Sequence, residues 1–154
     1  TVGPEAELME QAAGEARAAA AKKPLTLTVH PTEATACFDS KWTPEALYNL
    51  VDNAVKYTPA GGKVELTAVL TDNFCRLDVA DTGPGIPESE QGAIFNRFVR
   101  GAAAQTSEGL GIGLYLARQI AAGQGGYIRV RSTPGQGSTF SLYLPRQAVL
   151  AGHP

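Results

Sequence analysis

Two carboxamides, an ammonium and a phenol gather at helical spacing in the stretch running from Asn49 to Tyr57. At about 3.6 residues per turn, Asn49, Asn53 and Lys56 fall within an arc of about 60° on one side of a helix. Ala46, Leu47, Leu50, Val51 and Ala54 occupy the adjoining arc and read as a core stripe, with Tyr57 at the seam. That combination can hold a metal ion and a polyphosphate together. Taken alone, the segment also fits a solvated polar edge on an ordinary amphipathic helix. The rest of the chain lowers the weight of that plainer reading.

Three glycine motifs follow. The alternating apolar run from Phe74 to Ala80 reads as a strand, and it leads into Asp81, Thr82, Gly83, Pro84, Gly85, Ile86 and Pro87. An Asp there can accept a hydrogen bond from the exocyclic amine of a base, while the glycines let backbone approach a flat ring. A ligand-free Asp-Thr-Gly turn is the bland alternative. Gly109, Gly111 and Gly113 then open an apolar helical stretch that continues through Leu114, Tyr115, Leu116, Ile120 and Ala121. Unpaired N–H groups and the positive end of the helix dipole make such a start a phosphate site. The spacing is not that of the Rossmann fingerprint, and the chain contains no Walker lysine motif. Gly135, Gly137, Ser138 and Thr139 form at least a hairpin turn between Tyr127–Arg131 and Phe140–Leu144.

Taken together and in this order, the four motifs resemble the ATP-binding catalytic domain of bacterial sensor histidine kinases. These belong to the GHKL superfamily, also called HATPase_c, with topoisomerase, chaperone and mismatch-repair ATPases. The helix motif matches the N box, Asp81 to Gly85 the G1 box, Gly109 to Gly113 the G2 box, and Gly135 to Ser138 the G3 box. Ile94, Phe95, Arg97, Phe98 and Arg100 resemble the F box, which histidine kinases carry and their relatives generally lack. Position by position, the resemblance implies that Asn53 is the Mg²⁺ ligand, Lys56 a phosphate contact and Tyr57 a wall of the adenine pocket. Asn49 would lie one turn earlier, close to the phosphates. Asp81 would bind the adenine amine, directly or with water, with Gly83 and Ile86 in the same loop and Gly85 passing under the ring. Gly109, Leu110, Gly111, Gly113, Leu114, Ser138 and Thr139 would complete the nucleotide site. Arg100 aligns with an arginine that reaches toward the γ-phosphate in some members, so Asn49, Lys56 and Arg100 are the residues nearest the chemistry.

One position bears on the reaction class. The ATP-hydrolysing relatives, like the related serine kinases, place a Glu four residues before the metal-binding Asn as general base, and here that place is Asn49. An amide takes no proton from water at neutral pH, so rapid hydrolysis by this chain is not expected. A histidine acceptor brings its own nucleophilic nitrogen, and the domain need only position the γ-phosphoryl group and screen its charge. Asp52 lies off the Asn stripe and reads as solvated or structural. The resemblance implies a histidine acceptor on a separate dimerisation hairpin, in a context of an adjacent acid followed by Arg or Lys, Thr and Pro. Neither His30 nor His153 has that context. A response regulator would then take the phosphoryl group. Two other readings are an ATP-dependent interaction switch without phosphotransfer and a GHKL ATPase.

The elements that must position these residues follow from periodicity. Glu5 to Lys23 reads as an Ala-rich helix with Gly14 as a weak point, ended by Pro24. Leu25–Val29 and a short run near Ala36–Phe38 read as strands, and the N-box helix starts between Asp39 and Pro44, with Asp39 and Thr43 both plausible caps. Val64–Leu70 and Phe74–Ala80 form a hairpin across Thr71–Asn73, and a final hairpin spans Gly126 to Leu144. The simplest packing is a two-layer α/β (α+β) sandwich, three helices on one face of a mixed sheet of about five strands; the resemblance implies the same Bergerat-type fold. Residues 1–147 read as a single ATP-binding catalytic domain, including a leading helix at 1–24 and an ATP lid at 88–109 anchored by Phe95 and Phe98, and residues 148–154 as a tail.

Composition agrees with one cytoplasmic domain. The 154 residues are 44% hydrophobic with a net charge of -2, which suits a single core and gives no sign of a nucleic-acid surface. No apolar run is long enough to span a membrane, and no signal peptide or direct membrane contact is expected. Cys37 and Cys75 lack metal-site spacing and read as buried reduced thiols. The start at Thr1 fits a piece of a longer parent, one that the resemblance expects to carry the hairpin and often a membrane-tethered sensor.

Overall fold

The computed structural model describes residues 2–91, 94–95 and 110–146. Arg100, Phe98 and Gly109, most of the expected lid and the expected tail lie outside the described residues. The elements in chain order are β1 (Val2–Pro4), α1 (Glu5–Lys22), β2 (Thr26–Val29), β3 (Thr35–Cys37), α2 (Thr43–Tyr57), β4 (Lys63–Leu70), β5 (Phe74–Asp81), α3 (Glu88–Gln91), α4 (Leu110–Gly123), β6 (Tyr127–Thr133) and β7 (Gly137–Pro145).

Period-two patterning builds the sheet. Five strands run in the order β2-β4-β5-β7-β6, with β2 parallel to β4 and every other pair antiparallel. The register lines up Leu66, Val79, Phe140 and Val130 as one row, and Ala68, Leu77, Leu142 and Ile128 as the next. Successive side chains point to opposite faces, so both rows lie on the same side. That side is the core: Leu66, Leu77, Val79, Phe140 and Leu142 are buried.

The long helices cover this face, with α2 between α1 and α4. Leu8, Met9, Ala12, Ala13 and Ala16 of α1 are buried, as are Ala46, Leu47, Leu50, Val51 and Ala54 of α2 and Leu114, Ala117 and Ala121 of α4. The three-four spacing of each set gives every helix one apolar stripe. Gly14 faces open space, so α1 passes through it unbroken. None of the described helices is long and apolar enough to cross a membrane.

One local expectation is extended and one corrected. The strand expected near Ala36–Phe38 forms as β3, but it stands outside the main sheet and pairs with β1, whose Val2, Gly3 and Pro4 lie opposite Cys37, Ala36 and Thr35. Three residues that include Gly and Pro carry no strand pattern, so β1 depends on this long-range pairing. Neither Asp39 nor Thr43 caps α2. Trp42 holds the cap position without a side-chain bond, and Pro44 sits in the first turn, where its missing N–H is an orphan anyway. Asp39 acts one turn earlier, its Oδ1 accepting from the Lys41 and Trp42 amides at 2.8 Å each. The Thr43 hydroxyl instead donates to Gln124 Oε1 at 2.9 Å, tying the start of α2 to the end of α4.

The far end of α2 is held three ways. The Thr58 amide and hydroxyl both donate to the Ala54 carbonyl, at 3.0 and 2.7 Å. Lys23 Nζ reaches across from α1 to the carbonyls of Val55 and Lys56, at 2.7 and 2.6 Å. A cation at a helix C-terminus satisfies orphan carbonyls and opposes the dipole.

Candidate functional site

On the helix-facing side of the sheet, the apolar rows give way to a polar one at one end. Beyond Leu66, Val79, Phe140 and Val130, the register places Val64, Asp81, Ser138 and Ser132. Ser132 Oγ lies 2.8 Å from Ser138 Oγ and donates to the Gly137 carbonyl at 2.9 Å. It also accepts the Ile86 amide at 2.7 Å, which pins the loop after β5 to β6. Gln91 Nε2 closes the same corner, donating to the carbonyls of Ile86 and Ser132 at 2.9 and 3.1 Å.

Asp81 stands in the middle of this floor. Its Oδ1 accepts the Gly83 amide at 2.9 Å. Burial pushes the carboxyl above its ordinary pKa, while the backbone N–H groups of Gly83 and Ser138 oppose that rise. The close approach of strands around it demands glycine. Gly137 has φ +93°, and a Cβ there would fall 2.1 Å from the Asp81 carbonyl oxygen. Gly85 has φ +79°, and its Cβ would meet the Thr133 carbonyl at 2.3 Å. The backbone of the β6-β7 turn already accounts for glycine at position 85.

The wall above the floor is α2. A Cβ on Gly83 would lie 2.9 Å from the Tyr57 carbonyl, so the loop after β5 presses against the end of the helix. The Tyr57 hydroxyl is the one buried side-chain polar atom among the described residues without a hydrogen-bond partner. Asn53 is 6% exposed. Lys56 Nζ lies 3.0 Å from Asp52 Oδ2. One turn earlier, the Asn49 side chain lies 3.8–4.0 Å from the position a Cβ would take on Gly113, so the first turns of α4 meet the N-box face directly. Tyr57 is half-buried as a whole, but its hydroxyl is buried, and a buried hydroxyl without a partner is costly. Among the described residues, no three His, Cys, Asp or Glu side chains cluster as a metal site. A divalent cation here would depend on amide oxygen and on oxygens brought by a ligand.

The described parts of the motifs thus meet in pairs: Tyr57 with Gly83, Asn49 with Gly113, and Asp81 with Gly83, Gly137 and Ser138. Ile86 is tied to the same corner through Ser132, and Asn53 and Lys56 lie on α2 between Asn49 and Tyr57. Leu110 and Gly111 begin α4, next to Gly113. Leu114 joins the core instead, at 5% exposure. Thr139 pairs with Ala80 and Arg131, so alternation sends its side chain to the opposite face of the sheet. Two residues escaped the motif reading: Ser132 and Gln91. Ser132 had a signal, since it occupies the inward position after Ile128 and Val130 where an apolar residue is expected. Gln91 had none. His30 lies just after β2, away from Asp81, and its Nε2 pairs with Glu65 at 2.7 Å.

Residues 38–148 match the family described as histidine kinase-, DNA gyrase B-, and HSP90-like ATPase, and the chain belongs to it. It is an ATP-binding catalytic domain of the sensor histidine kinase type. Over 102 residues it is 48% identical to the adaptive-response sensory kinase SasA of a Synechococcus strain, a match that covers 66% of this chain and 27% of that protein. The chain therefore spans about a quarter of the length of this curated relative. Among solved structures, the mycobacterial sensor histidine kinase MprB superposes with a TM-score of 0.84 at 27% identity, covering 97% of this chain and 100% of that one. Full-length ShkA, solved in complex with AMPPNP, superposes with a TM-score of 0.79 at 30% identity, covering 97% of this chain and 32% of that one.

Proposed function

We propose that this domain binds Mg²⁺-ATP at the polar end of its sheet and presents the γ-phosphoryl group to a histidine on the dimerisation hairpin of its parent protein. A response regulator then receives that group. The observation that carries the reading is the meeting of Tyr57 with Gly83, Asn49 with Gly113, and Asp81 with Ser138, together with a buried Tyr57 hydroxyl that has no partner. Bound ATP supplies the transferable phosphoryl group. Asp81 accepts the adenine amine. Tyr57 walls the ring, and its hydroxyl gains a polar neighbour. Asn53 offers its amide oxygen to Mg²⁺, as a hard oxygen ligand suits that ion. Lys56 screens phosphate charge, and the amides at the start of α4 face phosphate oxygens. Asn49 holds the place of a general base without being able to remove a proton, which favours an acceptor that is already nucleophilic. The domain works in the cytoplasm, where ATP and the reduced state of a buried thiol such as Cys75 are both maintained.

The test is transfer itself. With a separately prepared acceptor hairpin and Mg²⁺-ATP, acid-labile phosphate is expected on the hairpin histidine. Its absence at saturating nucleotide, with binding intact, would instead favour a domain whose ATP state switches an interaction.

A further inference from the structure

Tyr48, Asp52 and Lys56 rise along one edge of α2 at four-residue spacing, and Asp52 sits between the other two. Lys56 Nζ lies 3.0 Å from Asp52 Oδ2, with the aspartate side chain 25% exposed and the lysine 44%. Tyr48 is half-buried on the same edge, and burial, followed by the nearby Asp52 charge, raises its phenol above the ordinary value. On the helix surface Lys56 falls about 40° from Asp52 on one side and about 20° from Asn49 on the other. Its flexible stem can deliver the ammonium to either neighbour. An acid four residues before a lysine is also the favourable order for a helical ion pair.

We propose that Asp52 is a positioning residue that competes with bound phosphate for the Lys56 ammonium. The inference rests on Lys56 being a phosphate contact. Two effects share one sign. A polyphosphate must draw Lys56 away from a partner already within ion-pair distance, and the carboxylate left behind repels the same phosphates. Asp52 therefore loosens the hold on nucleotide, which favours exchange of spent for fresh ligand. Neither effect touches adenosine, which carries no phosphate.

The test is a titration of the full chain with AMPPNP and Mg²⁺, comparing the unsubstituted protein with Asp52→Asn, Asp52→Glu, Lys56→Met and the double variant Asp52→Asn/Lys56→Met. Asp52→Asn is expected to tighten binding by about three- to tenfold. Asp52→Glu keeps the charge and stays within about twofold of the unsubstituted chain. In the Lys56→Met background the gain from Asp52→Asn shrinks, and adenosine binds all forms alike. Equal affinities for the unsubstituted chain and Asp52→Asn would overturn the inference and leave the reading of the site intact. An undiminished gain without Lys56 would also overturn it, since Asp52 would then act on phosphate directly. So would a matching gain for adenosine, the mark of a structural change. No AMPPNP binding by the unsubstituted chain would remove the site reading and this inference with it.

Discussion

A carboxylate pushed toward neutrality by its burial is a poor choice for a binding site unless the ligand donates to it. Asp81 is in that position: burial raises its pKa, and backbone donors only partly offset the rise. Asp81→Asn removes the charged acceptor for an amine, and is expected to weaken adenine nucleotides about 10- to 100-fold, equally with and without Mg²⁺. Asn53→Ala is expected to remove chiefly the part of the affinity that depends on Mg²⁺. Calorimetric titration of both variants checks this, and the same metal-independent loss in each would contradict the division of roles. The pH dependence follows from the sign of the shift. A raised pKa means that the ionised acceptor is lost as pH falls through a value above the ordinary 3.8. Nucleotide affinity should fall on acidification sooner than an unshifted carboxylate would cause, and Asp81→Asn should flatten that limb. For folding, the same shift is a cost absent below the unfolded pKa and growing as pH rises toward the folded one. The unliganded Asp81→Asn chain is thus expected to be no less stable at neutral pH, as thermal unfolding would show. The sequence reading supplied Asp81 because a strand pattern leads into it, but could not supply its environment. Ser132 and Ser138 become neighbours only through the register of β6 and β7.

At the scale of elements, α2 is the part on which the site depends, and its two ends were not equally legible. The three-four repeat that gives Leu47, Leu50, Val51 and Ala54 to the core also fixes the side on which Asn49, Asn53 and Lys56 emerge. The caps are tertiary. Thr43 turns to Gln124 on α4, and the last carbonyls are closed by Lys23 from α1. Neither pairing follows from local propensity, since the partners lie far apart in the chain. Replacing Lys23 by Met keeps most of the stem but removes the charge and both hydrogen bonds. The expected loss is about 1–2 kcal/mol, readable as a lower thermal midpoint. Because Lys56 and Tyr57 belong to the turn that Lys23 holds, nucleotide affinity should fall as well. Unchanged stability would show that the α2 end is secured by Thr58 alone. β1 and β3 show the same limit from another side, since their pairing joins segments that carry no shared periodic signal.

For the whole molecule, the ordered glycine motifs were legible because each has its own local geometric reason. That they share one site came with the resemblance and not from periodicity, since the contacts between them follow from strand order β2-β4-β5-β7-β6 with α2 and α4 packed side by side. That topology sets Asp81 at the end of β5 opposite Ser138, and Asn49 beside the first turns of α4. On the proposed reading this arrangement positions a nucleotide, and Asn49 stands where the resemblance expects a general base in the hydrolysing relatives. The isolated chain is accordingly expected to show no steady ATP turnover, and sustained phosphate release would contradict the role given to Asn49. The most direct measurement is a calorimetric titration of the purified chain with AMPPNP, with and without Mg²⁺. Saturable binding that Mg²⁺ strengthens is the predicted result. No binding under either condition, or binding indifferent to the metal, would contradict a Mg²⁺-ATP site built from Asn53, Lys56, Tyr57 and Asp81.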